Sequence, residues 1–284
     1  CTVKAYADRR EALRGAKYVV NAIQVGGYEP CTVTDFEVPK KYGLRQTIGD
    51  TVGIGGVFRA LRTIPVMLDF ARDMQEVCPD AWFLNYTNPM AVLTNVMITH
   101  GGIKTVGLCH SVQVCVPDLF RHLGMDATGV QSKIAGINHM AWLLEVTKDG
   151  VDLYPEIKRR AREKQKEKHY DMVRFELMFK FGYYVTESSE HNAEYHPYFI
   201  KSTHPELIEQ LNIPLDEYPR RCVNQIESWK RMREELVNNK QLQHERTHEY
   251  ASYIFEAMET NVPFKIGGNV MNTGLITNLP KEAC

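Results

Sequence analysis

The chain has 284 residues, 44% of them hydrophobic, and a formal charge of -1. That is material for one large or two modest domains with a real core, and the near-neutral balance gives no electrostatic case for nucleic acid or an anionic membrane surface. No apolar run reaches the roughly 18 residues of a membrane span, no signal peptide is seen, and seven cysteines without CxxC spacing fit reduced thiols in a cytoplasmic protein better than a disulfide framework or zinc ribbon.

In chain order, residues 1–110 alternate in the βα manner. Residues 2–6 read as a strand, 9–14 as a short helix, and 18–24 as a buried strand running into Gly26-Gly27, where a ligand could approach the backbone closely. Gly53-Ile54-Gly55-Gly56 opens a long helix over 57–77. It reads either as a helix start that binds an anion or as a simple tight turn. A strand at 82–84, a helix at 91–99 and a strand at 104–108 follow, and this spacing predicts a parallel sheet with right-handed crossovers.

Beyond residue 111 the pattern changes. A helix over 114–123 precedes strands at 132–135 and 141–146, joined by a turn holding Asn138 and His139 and closed by Asp149-Gly150. Residues 155–180 and 203–240 are mostly helical and highly charged, and the basic run 158–168, broken by Glu163 and Glu167, reads as a solvated helix face rather than a polyanion site. Between them, 183–199 is aromatic and acidic. The fold class is therefore α/β, a doubly wound Rossmann-like sheet over 1–125 with a second α+β domain over 126–284.

Chemistry-bearing residues gather at strand ends, where open α/β sheets place their sites. Cys109 and His110 end one strand, Asn85-Tyr86-Thr87-Asn88-Pro89 ends another, and His139 lies in a turn. Cys109 is either an inert buried thiol or a metal ligand, and His139 either a satisfied core histidine or the second ligand. One thiolate and one imidazole suit a divalent ion that substrate hydroxyls help to coordinate. Glu187, Glu190, Glu194, His191, Tyr195 and His196 offer acid–base groups or a polar loop on an aromatic patch, and Tyr195 could act as a base if its pKa were lowered.

Four motifs in order, Asn85-Tyr86-Thr87-Asn88-Pro89-Met90, Gly107-Leu108-Cys109-His110-Ser111, Gly136-Ile137-Asn138-His139-Met140 and Thr186-Glu187-Ser188-Ser189-Glu190-His191, make the chain similar to the family 4 glycoside hydrolases, among them the melibiase-type α-galactosidases. The resemblance runs from end to end, taking in Gly26-Gly27-Tyr28-Glu29-Pro30 and Pro214-Leu215-Asp216-Glu217-Tyr218-Pro219. It implies a lactate/malate dehydrogenase-like architecture, NAD and a divalent metal, usually Mn2+, and it sets the chain outside the paired-carboxylate glycosidases. The implied reaction oxidises the sugar at C3, removes the C2 proton, expels the leaving group, adds water and returns the hydride.

By the same resemblance Cys109 and His139 are the metal ligands, His110 the proton donor to the departing oxygen and Tyr195 the C2 base. Asn88, Asn138 and Asp50 would bind the sugar, and Gly26, Gly27 and Asn88 the cofactor. The implied partner is a small α-glycoside, and a homodimer or homotetramer is expected. An α-glucosidase or α-galacturonidase of the same family, a 2-hydroxyacid dehydrogenase and an inactive sugar-binding homologue are the rival expectations. The family's first strand and Gly-rich pyrophosphate turn would precede residue 1, and its C-terminal helical segment would follow Cys284. The 284-residue piece, with its first strands missing, is accordingly expected to bind NAD poorly and to be inactive or unstable.

Overall fold

The computed structural model describes residues 2–239, 241, 245–247 and 249–284; Cys1, counted among the thiols above, lies outside them. The first half holds α1 (Arg9–Leu13), β1 (Tyr18–Asn21), a π-type turn (Gly27–Thr32), α2 (Val33–Lys40), α3 (Gly53–Val77), β2 (Trp82–Asn85), α4 (Met90–His100), β3 (Lys104–Leu108) and α5 (His110–His122). The second half holds β4 (Gln131–Ile137), β5 (Met140–Lys148), β6 (Val151–Asp152), α6 (Tyr154–Lys164), α7 (Met172–Phe181), β7 (Tyr184–Val185), α8 (Ser189–Tyr195), α9 (Glu206–Gln210), α10 (Glu217–Asn238), α11 (Ala251–Thr260) and β8 (Gly268–Asn269).

The first sheet has the order β1-β2-β3-β8. Its first three strands are parallel and in register, Tyr18 against Trp82 and Trp82 against Lys104, as the alternation with helices predicts. β8 then pairs with β3 antiparallel through Gly107–Asn269 and Leu108–Gly268. Two residues flanked by Gly267 carry no periodicity, so this edge is invisible in the sequence. Met67, Met74, Phe83, Leu93 and Met97 are fully buried beneath the sheet where α3 and α4 cover it.

Four expectations need correction. Residues 2–6 form no strand; they are exposed, Val3 by 92%, and no strand among the described residues pairs with them. The strand over 18–24 ends at Asn21, and Val20 within it is half exposed rather than buried. The helix read from residue 57 starts at Gly53, and the one read from 114 starts at His110.

The second sheet is antiparallel, in the order β4-β5-β6 with β7 on β5. Alternating residues of β5 (Ala141, Leu143) face its core, as the period-two pattern requires. That core joins Leu143 and Val146 to Ile157 of α6, Phe175 and Met178 of α7, and Leu119 and Phe120 of α5. α5 therefore begins at the first sheet and buries its apolar face in the second core, which fixes β3 and the β4–β5 hairpin relative to one another. α6 carries the basic run, with Arg159 and Arg160 paired to Glu156 on a solvated face. No helix among the described residues is long and apolar enough to cross a membrane.

Candidate functional site

Cys109 is the extended residue that links β3 to α5, so its Sγ leaves the sheet at a strand end. His139 occupies the β4–β5 turn with φ 66°, a left-handed conformation uncommon outside glycine. Gly136, two residues before the turn, has φ 141°, and a Cβ there would lie 2.6 Å from Ala141 Cα. The hairpin is thus closed tightly enough to press His139, 3% exposed, back toward the first sheet. Glu187 approaches from the loop between β7 and α8, and the donor atoms of Cys109, His139 and Glu187 all lie within 4.8 Å of one another.

Each nitrogen of His139 has its own neighbourhood. Nε2 lies 3.4 Å from Glu187 Oε2. Nδ1 lies 2.9 Å from the Tyr195 hydroxyl and 3.2 Å from Thr51 Oγ. Burial disfavours charge on both Cys109 and His139, yet each stabilises it in the other. The hydrogen bond to His139 and its positive charge bring the Cys109 thiol below its usual range, and Cys109 with Glu187 holds the imidazole above its own. Thiolate, imidazole and carboxylate are a donor set suited to a divalent transition metal, so the residues present fit the ion the family resemblance implies.

Asp50 and Asn88 form the neighbouring pair, Asn88 Nδ2 donating to Asp50 Oδ2 at 3.0 Å. Thr51 Oγ donates to the other Asp50 oxygen at 2.8 Å, which links the pair to His139. His191 lies 3.8 Å from Asp50 and 3.6 Å from Glu187. The segment carrying Asp50 is held from α8: Glu194 accepts from the backbone N–H groups of Thr47 (2.8 Å), Ile48 (3.2 Å) and Gly49 (2.8 Å). Burial and the charge of Asp50 keep the Tyr195 phenol well above its ordinary value, so the protein alone does not supply the lowered pKa anticipated for that residue.

The glycines of 53–56 are explained within the protein. A Cβ on Gly55 would sit 2.4 Å from Gly49 O, one on Gly56 2.4 Å from Thr51 O, and the Gly55 N–H is already donated to Gln46 at 3.0 Å. Close packing against the 46–51 segment accounts for glycine at positions 55 and 56. Gly26 is similar, since a Cβ there would meet Cys31 Sγ at 2.3 Å. At Gly27 a Cβ would have no atom within 4 Å, so the backbone is open to close approach there.

His110 stands apart from the cluster although it follows Cys109. It opens α5, half exposed, with Nε2 2.7 Å from Glu249 and its ring stacked on Tyr86 at 5.7 Å. Tyr86 also donates to Glu249, and Tyr250 donates to the Cys109 carbonyl at 3.0 Å. Asn138 has its Oδ1 buried and unpartnered. The other unpartnered buried side-chain atoms among the described residues are Thr186 Oγ1, Asn192 Oδ1 and His196 Nε2, so every one belongs to a chain neighbour of His139, Glu187, His191 or Tyr195. Native structures leave few such atoms, and their concentration here marks a polar site rather than a finished core.

Sequence reading brought out Cys109, His139, Asn88, Asp50 and Tyr195, which the fold joins. It missed Glu187 beside the two donors, Thr51, and Glu249 on His110. Glu187 was visible only as one acid among several in 183–199, and Glu249 follows His110 by 139 residues with no pattern between them.

The model of the family 4 glycosyl hydrolases matches residues 1–125, and that of the family's C-terminal domain matches 134–284. An alpha-galactosidase of Bacillus subtilis (strain 168) is 73% identical over 281 residues, covering 99% of this chain and 65% of the relative. An alpha-galactosidase of Rhizobium meliloti (strain 1021) is 37% identical over 294 residues, covering 99% and 59%. A solved Bacillus subtilis structure, described as a candidate glucosidase, matches with TM-score 0.85 at 25% identity over 99% of this chain and 68% of its own. A 6-phospho-alpha-glucosidase from gut microorganisms, solved with NAD and Mn2+, shares the fold at TM-score 0.72 and 20% identity, over 98% and 65%. The chain thus spans less than two thirds of these two alpha-galactosidases.

Proposed function

Because the chain belongs to the family 4 glycosyl hydrolases, we propose that it carries the chemical centre of an α-galactosidase working with NAD and a divalent metal, Mn2+ foremost. The observation that carries this reading is the meeting of Cys109 and His139 at one point, with Tyr195 on the far nitrogen of His139 and the Asp50–Asn88 pair alongside. The 73% identity to the Bacillus alpha-galactosidase favours galactosides over other epimers.

Cys109 Sγ and His139 Nε2 are the atoms that would hold the metal, and Gly27 and Asn88 are positions that would face the cofactor; Gly26 would support that turn from within. When bound, these groups supply Lewis-acid stabilisation at the sugar oxygens and reversible hydride transfer at C3. Tyr195 would take the C2 proton as its phenolate, its oxygen oriented by His139 Nδ1, and the positive charge of a bound metal would have to supply the lowered pKa that the protein alone does not. Asp50, Asn88 and Asn138 accept from and donate to sugar hydroxyls, and the buried, unpartnered Oδ1 of Asn138 offers an acceptor for one. His110 protonates the departing oxygen while Glu249 and Tyr86 hold its ring. The polypeptide divides near residue 125 into cofactor-side and substrate-side domains, assembles as a homodimer or homotetramer, and works in the cytoplasm, where its thiols stay reduced.

The test is to incubate the chain, extended to its relatives' length, with an α-galactoside, NAD, Mn2+ and reductant in D2O, and to weigh the released sugar. One deuterium at C2 is expected. Sugar released without deuterium would mean direct displacement and would overturn the oxidation–elimination route.

A further inference from the structure

Two protein donors would leave a metal dependent on the sugar to complete its shell. The geometry points to a third: we infer that Glu187 is itself a ligand, so that Cys109, His139 and Glu187 bind a divalent ion before sugar or cofactor arrives. The inference rests on the metal reading of Cys109 and His139 given above.

The Glu187 carboxylate has its two oxygens divided between tasks. Oε1 accepts from the Ser188 backbone N–H at 2.8 Å, and Oε2 is turned to His139 Nε2 at 3.4 Å. The side chain is 17% exposed, so its charge needs a fixed counterpart. Its loop is clamped on both sides of the residue. Arg174 donates to the Thr186 carbonyl at 3.3 Å, Ser189 Oγ donates to Asp171 at 3.1 Å, and Asn192 donates to the Glu187 carbonyl at 2.8 Å. The carboxylate is therefore aimed by rigid neighbours, as ligand positions require. Thiolate and carboxylate together balance a divalent charge, and the neutral imidazole completes a three-sided grip that leaves positions open to sugar oxygens.

A residue that only steadied His139 would cost about 10–100-fold in metal affinity when removed, without changing which atoms touch the metal. The test separates these cases by titrating Co2+ into the chain extended to its relatives' length, under reductant, with neither NAD nor sugar present. Binding is expected with a thiolate-to-metal charge-transfer band. Glu187→Gln, which keeps the side-chain shape, is expected to retain that band, alter the ligand-field spectrum and weaken binding more than about 100-fold. An unchanged ligand-field spectrum in this variant overturns the inference. If Cys109→Ser retains the charge-transfer band, the metal sits elsewhere, and it is the reading of the metal centre that fails. In the unaltered protein, with glutamate labelled at its side-chain carboxyl carbon, the Glu187 resonance should move on adding Zn2+; no movement overturns the inference whether or not the variant folds.

Discussion

Two buried clusters of charge lie on either side of the loop 186–189, and they are built differently. In one, Asp171 and Arg174 face each other at 0% and 7% side-chain exposure. Tyr184 donates to Asp171 at 2.5 Å, Ser189 donates to it at 3.1 Å, and the guanidinium lies 4.6 Å from the centre of the Tyr184 ring. All of these groups are spent within the protein. The other cluster, Cys109, His139 and Glu187, is less deeply placed, with only His139 fully buried; its chain neighbours Asn138 and Thr186 carry unpartnered atoms, and its three donor atoms converge within 4.8 Å of one another. Charge that holds a fold is closed; charge kept for chemistry stays open.

Removing His139 is the largest break to that contrast. His139→Ala takes away both a proposed metal donor and the partner of Tyr195. Several kilocalories of charge stabilisation correspond to a fall of about 10³-fold in turnover, read from initial rates of the extended chain with an α-galactoside. Unfolding by urea should move far less than in the next variant. Arg174→Met leaves Asp171 buried without its partner and should cost about 3–5 kcal/mol in the same urea experiment. If His139→Ala proves the more destabilising, the division between closed and open clusters is wrong.

Gly55→Ala sharpens the comparison from the site's edge. Its Cβ would press on Gly49 O, and overpacking of this kind costs about 1–3 kcal/mol. Because Asp50 follows Gly49, the expected signature is a raised KM with kcat less affected. An unchanged KM would mean that the 46–51 segment does not position the sugar.

The smallest effect lies at His169, whose Nδ1 accepts from the Asp171 backbone N–H at 3.1 Å and so anchors the start of the closed cluster. Burial and then the neighbouring His122 push its pKa down to about 4 from 6.5. Above pH 6.5 both folded and unfolded chains hold it neutral; between about 6.5 and 4 only the unfolded chain takes up the proton, so stability falls as the solution is acidified. The ring is half exposed, so the loss over this range should be about 1 kcal/mol, well below the roughly 3.4 that about 1.36 per pH unit would give undiscounted. His169→Asn should flatten that part of the stability curve, and an unaltered slope would remove His169 as its cause.

Much of this architecture was legible because local pattern and tertiary need agree. The strands at Trp82–Asn85 and Lys104–Leu108 are apolar runs between helices, and Met140–Lys148 alternates on a half-buried sheet. Reading failed where a long-range partner decides the outcome. Residues 2–6 have strand composition but no neighbour to pair with, and Gly268–Asn269 lack strand composition but find β3. Cys109 and His139 stood out by residue type, whereas Glu187 and Glu249 become distinctive only when the fold brings them to a histidine. An acidic side chain in a polar stretch has too many ordinary uses to announce a ligand.

The Glu194 carboxylate, bridging three backbone amides of the segment before Asp50, makes α8 and that segment a single moving part. Tyr195 and Asp50 therefore keep their spacing whenever the helix shifts. Insertions in the loop before α8 would shift the helix and the 46–51 segment together, leaving the spacing of Tyr195 and Asp50 unchanged. A lineage could in this way vary that loop without having to rebuild the relation between Tyr195 and Asp50.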